Sequence, residues 1–168
     1  AGPPPPSPEE GPGGPVLVVS SSANPFSRYY AEILRNEGLN AFRAVDLTAV
    51  DLTLLGDYDV VILGEVDVSP SQASMFETWV TGGGNLIAMR PDPDLAGLLG
   101  LSDEGTDLAD AYLEVDTSEG QPGEGLVSES IQFHGAADRY ARDPGTQALA
   151  TLYSDSSTET SSPAVTLR

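Results

Sequence analysis

Glu65 and Asp67 follow directly on the apolar run Val60-Val61-Ile62-Leu63. A carboxylate in that place can act as a general base, accept from a sugar hydroxyl or hold a cation. Arg90 follows a second run, Leu86-Ile87-Ala88-Met89, and its guanidinium can clamp a carboxylate through two parallel N–H donors. Ser20, Ser21 and Ser22 close a third run that begins at Val16, where hydroxyls and loop amides could hold an anion or a sugar. His134 is the only histidine, so a multi-histidine metal centre cannot be built, but one imidazole suffices for acid–base work beside Glu65. Glu65 and His134 are therefore the catalytic candidates. Ser20, Ser21, Ser22, Asp67 and Arg90 are the ligand-binding candidates, and no metal or cofactor is expected.

Each candidate has a plainer account. Asp67 and Ser69 suit the capping of the next helix, and the three serines suit ordinary turn and cap chemistry. Arg90 can pair with Asp92 or Asp94, and this ion pair is the favoured account of it. A structural histidine is favoured over a catalytic one, because no hydroxyl or thiol nucleophile can be assigned to His134. Asp138, Arg139 and Tyr140 read as a solvated turn. Of Glu65 and Asp67, Glu65 carries the stronger functional reading.

Position is what unites the candidates. Short continuous apolar runs are the pattern of parallel strands buried on both faces, and the stretch between Leu63 and Leu86 is long enough for a crossover helix. Open α/β sheets bind ligands beyond the carboxyl ends of their strands, where Ser20, Glu65 and Arg90 would all fall if the strand order is flavodoxin-like. Asn24-Pro25 starts a helix that runs to about Glu37, with Phe26, Tyr29, Tyr30, Ile33 and Leu34 forming the face against the sheet and Gly38 the stop. Leu39 to Val45 reads as the second strand, and two Asp-Leu-Thr turns follow. Ser69-Pro70-Ser71-Gln72 is a capping box that starts the helix through Phe76, Trp79 and Val80, and Gly82-Gly83-Gly84 ends it. Asp94 to Leu101 reads as a short helix. From Ser102 to Gly125 periodicity fades, leaving Tyr112 to Val115 as an edge strand, and Ile131 to Phe133, Ala148 to Tyr153 and Ala164 to Leu167 read as later strands.

Residues 1–15 contain no large apolar residue and are dominated by proline and glycine, so they read as an extended linker before a domain spanning 16–168. No Met-initiated charged and apolar leader opens the sequence, which places any export signal upstream. The formal charge is −19, from 26 acidic and 7 basic residues, and every basic residue is arginine. Such a surface repels phosphate backbones and anionic membranes, and no apolar run reaches the roughly 20 residues of a membrane span. The acids between Asp103 and Glu124 lack the D-x-D-x-D-G spacing of a calcium loop and read as a solvated surface. With no cysteine, disulfides and thiolate chemistry are excluded.

Three stretches together, "YDVVILGEVDVSPSQASMFETWVTGGGNLIAM", "IQFHGAADRY" and "ALATLYSD" leading to "SPAVTL", resemble the ThuA-like branch of the class I glutamine amidotransferase-like fold. The resemblance implies a flavodoxin-like three-layer α/β sandwich with a mainly parallel sheet, cut short at its C-terminus and so left with an open edge. It further implies occurrence in secreted, multidomain actinobacterial proteins, hence an extracellular location and either carbohydrate or neighbouring domains of the same polypeptide as partners. Amidotransferase relatives carry their nucleophilic cysteine on the turn after the strand matching Leu86 to Met89. Here Met89 or Arg90 stands there, and a permanently protonated guanidinium cannot replace a thiolate. Gln132-Phe133-His134 resembles the segment that supplies the catalytic histidine, with Gly135 where those enzymes have proline. A binding or structural module is thus the leading reading. The alternatives are a carbohydrate-processing enzyme using Glu65 and His134, and a protein-interaction domain acting through an exposed sheet edge.

Overall fold

A computed structural model describes residues 11–168, which form two compact units divided after Asp94. Of the proline- and glycine-rich leader, residues 1–10 lie outside the described part. Its end lies along the second strand of the sheet: the Gly13 amide donates to the Phe42 carbonyl at 2.8 Å, and Gly11 and Gly14 pass so close to Phe42 and Ala41 that no side chain would fit there.

The first unit is a four-stranded parallel sheet in the order β2-β1-β3-β4, built from β1 (Val16–Ser20), β2 (Phe42–Asp46), β3 (Val60–Leu63) and β4 (Asn85–Ala88). Val16 pairs with both Phe42 and Val60, so the three strands end in step. The chain steps one way from β1 to β2, then back across β1 to β3 and onward to β4. Right-handed crossovers therefore put α1 (Tyr29–Asn36) on one face and α2 (Leu52–Leu55) and α3 (Pro70–Thr81) on the other. Alternation along β1 matches both layers. Val18 packs with Ala31 and Phe42 on the α1 side, while Leu17 and Val19 face the other way, in register with the fully buried Val61 and Leu63.

Local chemistry sets the helix ends. Asp51 caps α2 through the Leu54 amide, and Ser69 and Gln72 form the expected capping box of α3. Gly84 lies against the Trp79 ring, where any Cβ would collide with the indole. Two readings from sequence need correction here. Pro25–Arg28 is a 3-10 turn that only then leads into α1, and Phe26, Tyr29 and Ile33 are 67%, 51% and 54% exposed. An eight-residue helix turns only one narrow face to the sheet, and Ala31, Tyr30 and Leu34 occupy it. The second strand starts at Phe42 rather than Leu39, which is exposed.

The second unit is antiparallel. Strands β6 (Tyr112–Val115), β7 (Ile131–Gln132), β9 (Gln147–Tyr153) and β10 (Glu159–Leu167) form a sheet in the order β10-β9-β6-β7, and β5 (Leu101–Ala109) pairs with β8 (Ala136–Arg142). The expected helix at Asp94 to Leu101 is a 3-10 turn, Pro93–Leu95, followed by turns into β5. The expected solvated turn at Asp138-Arg139-Tyr140 is the middle of β8. There Tyr140 is buried with Ala96 and Leu101, and Arg139 reaches Ser162 Oγ at 3.0 Å and Glu104 at 3.4 Å. Pairing with β5 and these polar contacts override a local sequence that has no apolar alternation.

Candidate functional site

The carboxyl ends of β1, β3 and β4 carry most of the sequence candidates, and the polar contacts between their loops show how each is held. The Ser20 side chain is buried and its hydroxyl lies 3.4 Å from the Val45 carbonyl, on the neighbouring strand. The next two serines both use their backbone amides: that of Ser21 donates to Ser27 Oγ at 2.9 Å and that of Ser22 to Asp46 Oδ2 at 2.8 Å. The Ser21 hydroxyl accepts from the Ala23 amide. Cap and turn chemistry thus accounts for the contacts of the serine loop.

Asp46 is the residue that a reading by runs overlooks. It ends β2 beside β1, and besides Ser22 it accepts from the Thr48 hydroxyl at 2.7 Å and the Thr48 amide. These bonds, those from Thr48 foremost and then those from Ser22, hold its carboxyl below the usual carboxylate range. Asn24 ties the other side: its Nδ2 donates to the Glu65 carbonyl at 3.0 Å while its Oδ1 caps Phe26. Gly64, between β3 and Glu65, passes so near Ser27 that a Cβ would lie 2.9 Å from the Ser27 Cβ.

Glu65 and Arg90 meet. The guanidinium of Arg90 donates to Glu65 Oε1 at 2.8 Å across the ends of β4 and β3, and the two side chains are 41% and 45% exposed. Glu65 is thus a partner of Arg90 that lies on another strand, 25 residues away in sequence. Asp92 instead accepts from the amides of Val68 and Asp94, joining the loops after β3 and β4. The Arg90 backbone has φ 45°, a left-handed conformation that costs a non-glycine residue roughly 1–2 kcal/mol. Tyr30 approaches from α1: burial, and then the nearby Glu65 charge, raise its phenol above the ordinary tyrosine range, so it stays a hydrogen-bond donor. Asp67 is exposed, and the helix cap beside it is made by Ser69 and Gln72.

His134 belongs to the second unit. It sits on the turn after β7, pinned where the Asp110 amide donates to the Gly135 carbonyl and the Gly135 amide to Asp110 Oδ1. Its Nδ1 lies 3.8 Å from Asp110, with the imidazole 82% exposed. Among the described residues no group of three or more His, Asp or Glu side chains is placed to hold a metal ion. No helix among them is long and apolar enough to cross a membrane.

This is the flavodoxin-like α/β architecture, in which strand order reverses between β1 and β3, the place where open α/β sheets bind ligands. No family model and no curated protein matches the sequence. Solved structures share its fold. A protein described as ThuA-like from Bacteroides uniformis superposes with a TM-score of 0.64 at 15% identity, over 90% of this chain and 76% of the other. A glutamine amidotransferase from Thermotoga maritima gives 0.62 at 13% identity, over 90% and 70%. An exo-β-1,4-mannosidase from an Opitutaceae bacterium gives 0.59 at 17% identity, over 92% of this chain and 29% of the enzyme. At these identities the likeness is one of fold.

Proposed function

We propose that the protein is a non-amidotransferase module of ThuA-like fold that binds a neutral, hydroxyl-rich ligand, a carbohydrate, at the crevice formed by Glu65, Arg90 and the serine loop. The observation that carries this reading is the Arg90–Glu65 pair. A sugar hydroxyl both donates and accepts, and a half-exposed guanidinium–carboxylate pair offers both partners side by side. Arg90 has a strained backbone, and by the resemblance Met89 or Arg90 takes the place of the amidotransferase cysteine; with no cysteine in the chain, no thiolate can act there. The charge of −19 opposes anionic ligands, and the Arg90 guanidinium opposes a cation beside it, which leaves neutral ligands favoured at the pair. The same fold occurring as a minor part of a mannosidase supports a carbohydrate association. The proline-rich leader supports a module joined to other domains of a longer, exported polypeptide.

A binding role is preferred to catalysis because Glu65 is engaged by Arg90 and His134 is engaged only loosely with Asp110 on an open turn. The sheet-edge reading draws support from the exposed Val165 and Leu167, but Pro163 and the bulges along β10 blunt that strand for pairing. The deciding experiment is a glycan array with a parallel glycoside-hydrolysis screen of the parent, Glu65→Gln, Arg90→Ala and His134→Ala. Binding of at least one glycan by the parent that is lost in Glu65→Gln and Arg90→Ala and kept in His134→Ala is expected, without hydrolysis. Hydrolysis abolished by both Glu65→Gln and His134→Ala would establish the enzyme instead, and absence of any glycan binding would overturn the carbohydrate reading.

A further inference from the structure

The outward face of the antiparallel sheet in the second unit carries a second constellation. Tyr112 is paired directly with Tyr153, and Glu114 with Thr151, so all four side chains stand on one face of β6 and β9. Ala150 and Leu152, on alternate positions, are buried on the other face. Beside these residues lies an open depression of about 350 Å³ whose polar walls are Glu114, Asp116, Thr117, Ser118, Thr151 and Tyr153. That is the lower end of the roughly 300–1,000 Å³ typical of small-ligand sites.

The walls are held in place. Asp116 Oδ1 accepts from the Ser118 amide at 3.1 Å, Gln147 bonds Gln121 at 2.6 Å, and Gly123 folds so tightly onto Val115 and Asp116 that a side chain there would collide with both. The Ser118 contacts keep the Asp116 carboxyl below the usual range, so it is an acceptor at neutral pH. Tyr153 is pushed the other way, by desolvation first and then by the nearby charges of Glu114 and Glu159, so it stays protonated.

The composition of these walls selects the ligand. None of the residues is Arg, Lys or His, so an anion has nothing to bind, and two carboxylates fall short of a metal site. What remains is two carboxylate acceptors, three aliphatic hydroxyls and one aromatic ring, that of Tyr153, whose register partner on the next strand is Tyr112. Acceptors for ligand hydroxyls beside a flat apolar ring are what a saccharide requires, since its pyranose ring presents C–H groups on one face and hydroxyls at its rim.

We infer that this sheet face is a binding site for a neutral oligosaccharide, seated against Tyr153 with its hydroxyls donating to Glu114 and Asp116. It is independent of the crevice proposed above.

The test is titration of the intact chain with cellotetraose, mannotetraose and trehalose, followed by amide NMR shift mapping and by calorimetry, with spermine as a cationic control. A neutral saccharide is expected to shift amides of residues 112–118 and 149–153. Tyr153→Ala should weaken it about tenfold, which is the size of a lost stacking contact and its hydrogen bond, and Tyr153→Phe by less. Thermal unfolding of both variants checks that they fold, and Thr151→Ala, which removes one hydroxyl, replaces Tyr153→Ala if that variant does not. Three results would overturn the inference: no binding of any of the saccharides, shifts confined to residues 20–22 and 64–65, or binding of spermine alone that vanishes at high salt. The second of these leaves the crevice reading standing; shifts at 112–118 without shifts at the crevice would separate the two in the other direction.

Discussion

Gly64→Ala should damage the crevice from beneath. An ideal Cβ at this position would lie 2.9 Å from Ser27 Cβ, 3.0 Å from Ser27 O and 3.2 Å from Ser27 Cα. The first of these distances is about 0.6 Å inside the 3.5 Å at which carbon contacts become favourable. Ser27 cannot yield cheaply. It is buried, its hydroxyl accepts from the Ser21 amide at 2.9 Å, and the same hydroxyl donates to the Asn24 carbonyl at 2.6 Å. Pushing it away therefore disturbs the serine loop and the residue that holds the Glu65 backbone. Overpacking of a tight site costs about 1–3 kcal/mol, and for a chain of this size each kcal/mol lowers Tm by roughly 2–4 °C. A fall of about 2–12 °C is expected in thermal unfolding. Trp79, the only tryptophan, lies on α3 of the first unit, so its fluorescence reports that unit even if the two unfold separately. Gly97→Ala, at a glycine with no neighbouring atom within 4 Å of its added Cβ, is the control and should stay within about 0.5 kcal/mol of the parent. A Gly64→Ala protein that melts within a degree or so of the parent would refute the close approach of β3 and the 3-10 turn.

Replacing Arg90 by glycine should separate stability from binding: relief of the left-handed backbone offsets the entropy of glycine and the loss of a half-exposed ion pair, for a net change within about 1 kcal/mol by denaturant unfolding, while crevice binding is lost. A loss of several kcal/mol would mean that Arg90 is structural. Asp46 should contribute to acid resistance. Its folded pKa lies below its unfolded value, so the stabilisation is complete above the unfolded pKa and disappears as pH falls through the folded one; the Tm deficit of Asp46→Asn should accordingly be present at pH 7 and shrink as pH drops below about 4. A deficit independent of pH would contradict this. Arg139→Met removes the contacts to Glu104 and Ser162 that join β8, β5 and β10, and should lower stability by about 1–3 kcal/mol in chemical denaturation; an unchanged midpoint would show the contacts to be incidental.

The first unit was legible because its signals are local and agree with one another. Val16 to Ser20 and Val60 to Leu63 are apolar on both faces because both faces are covered, and the Ser69–Gln72 box declares its helix without tertiary help. The second unit was not. In β5 the residues from Ser102 to Asp107 are all exposed, so neither alternation nor an apolar run marks the strand, and only its pairing with β8 makes it one. Arg139 and Asp138 looked like turn residues for the same reason.

The candidate site divides along the same line. That Ser20, Glu65 and Arg90 lie at the ends of parallel strands follows from strand position, which the apolar runs give. Which side chain pairs with which does not. The Arg90–Glu65 contact spans two strands, and the bond from Asp46 to the serine loop spans two more, so each depends on a neighbour relation that proximity along the chain conceals. Proximity suggested Asp92 or Asp94 for Arg90, and gave no hint that Asp92 also accepts from the amides of Val68 and Asp94. The left-handed φ of Arg90 is equally silent in sequence, where arginine gives no hint of a turn that glycine would favour. A strained arginine paired with the best-placed carboxylate is an arrangement that folding alone does not require, and it is this combination that singles out the crevice for the binding experiments.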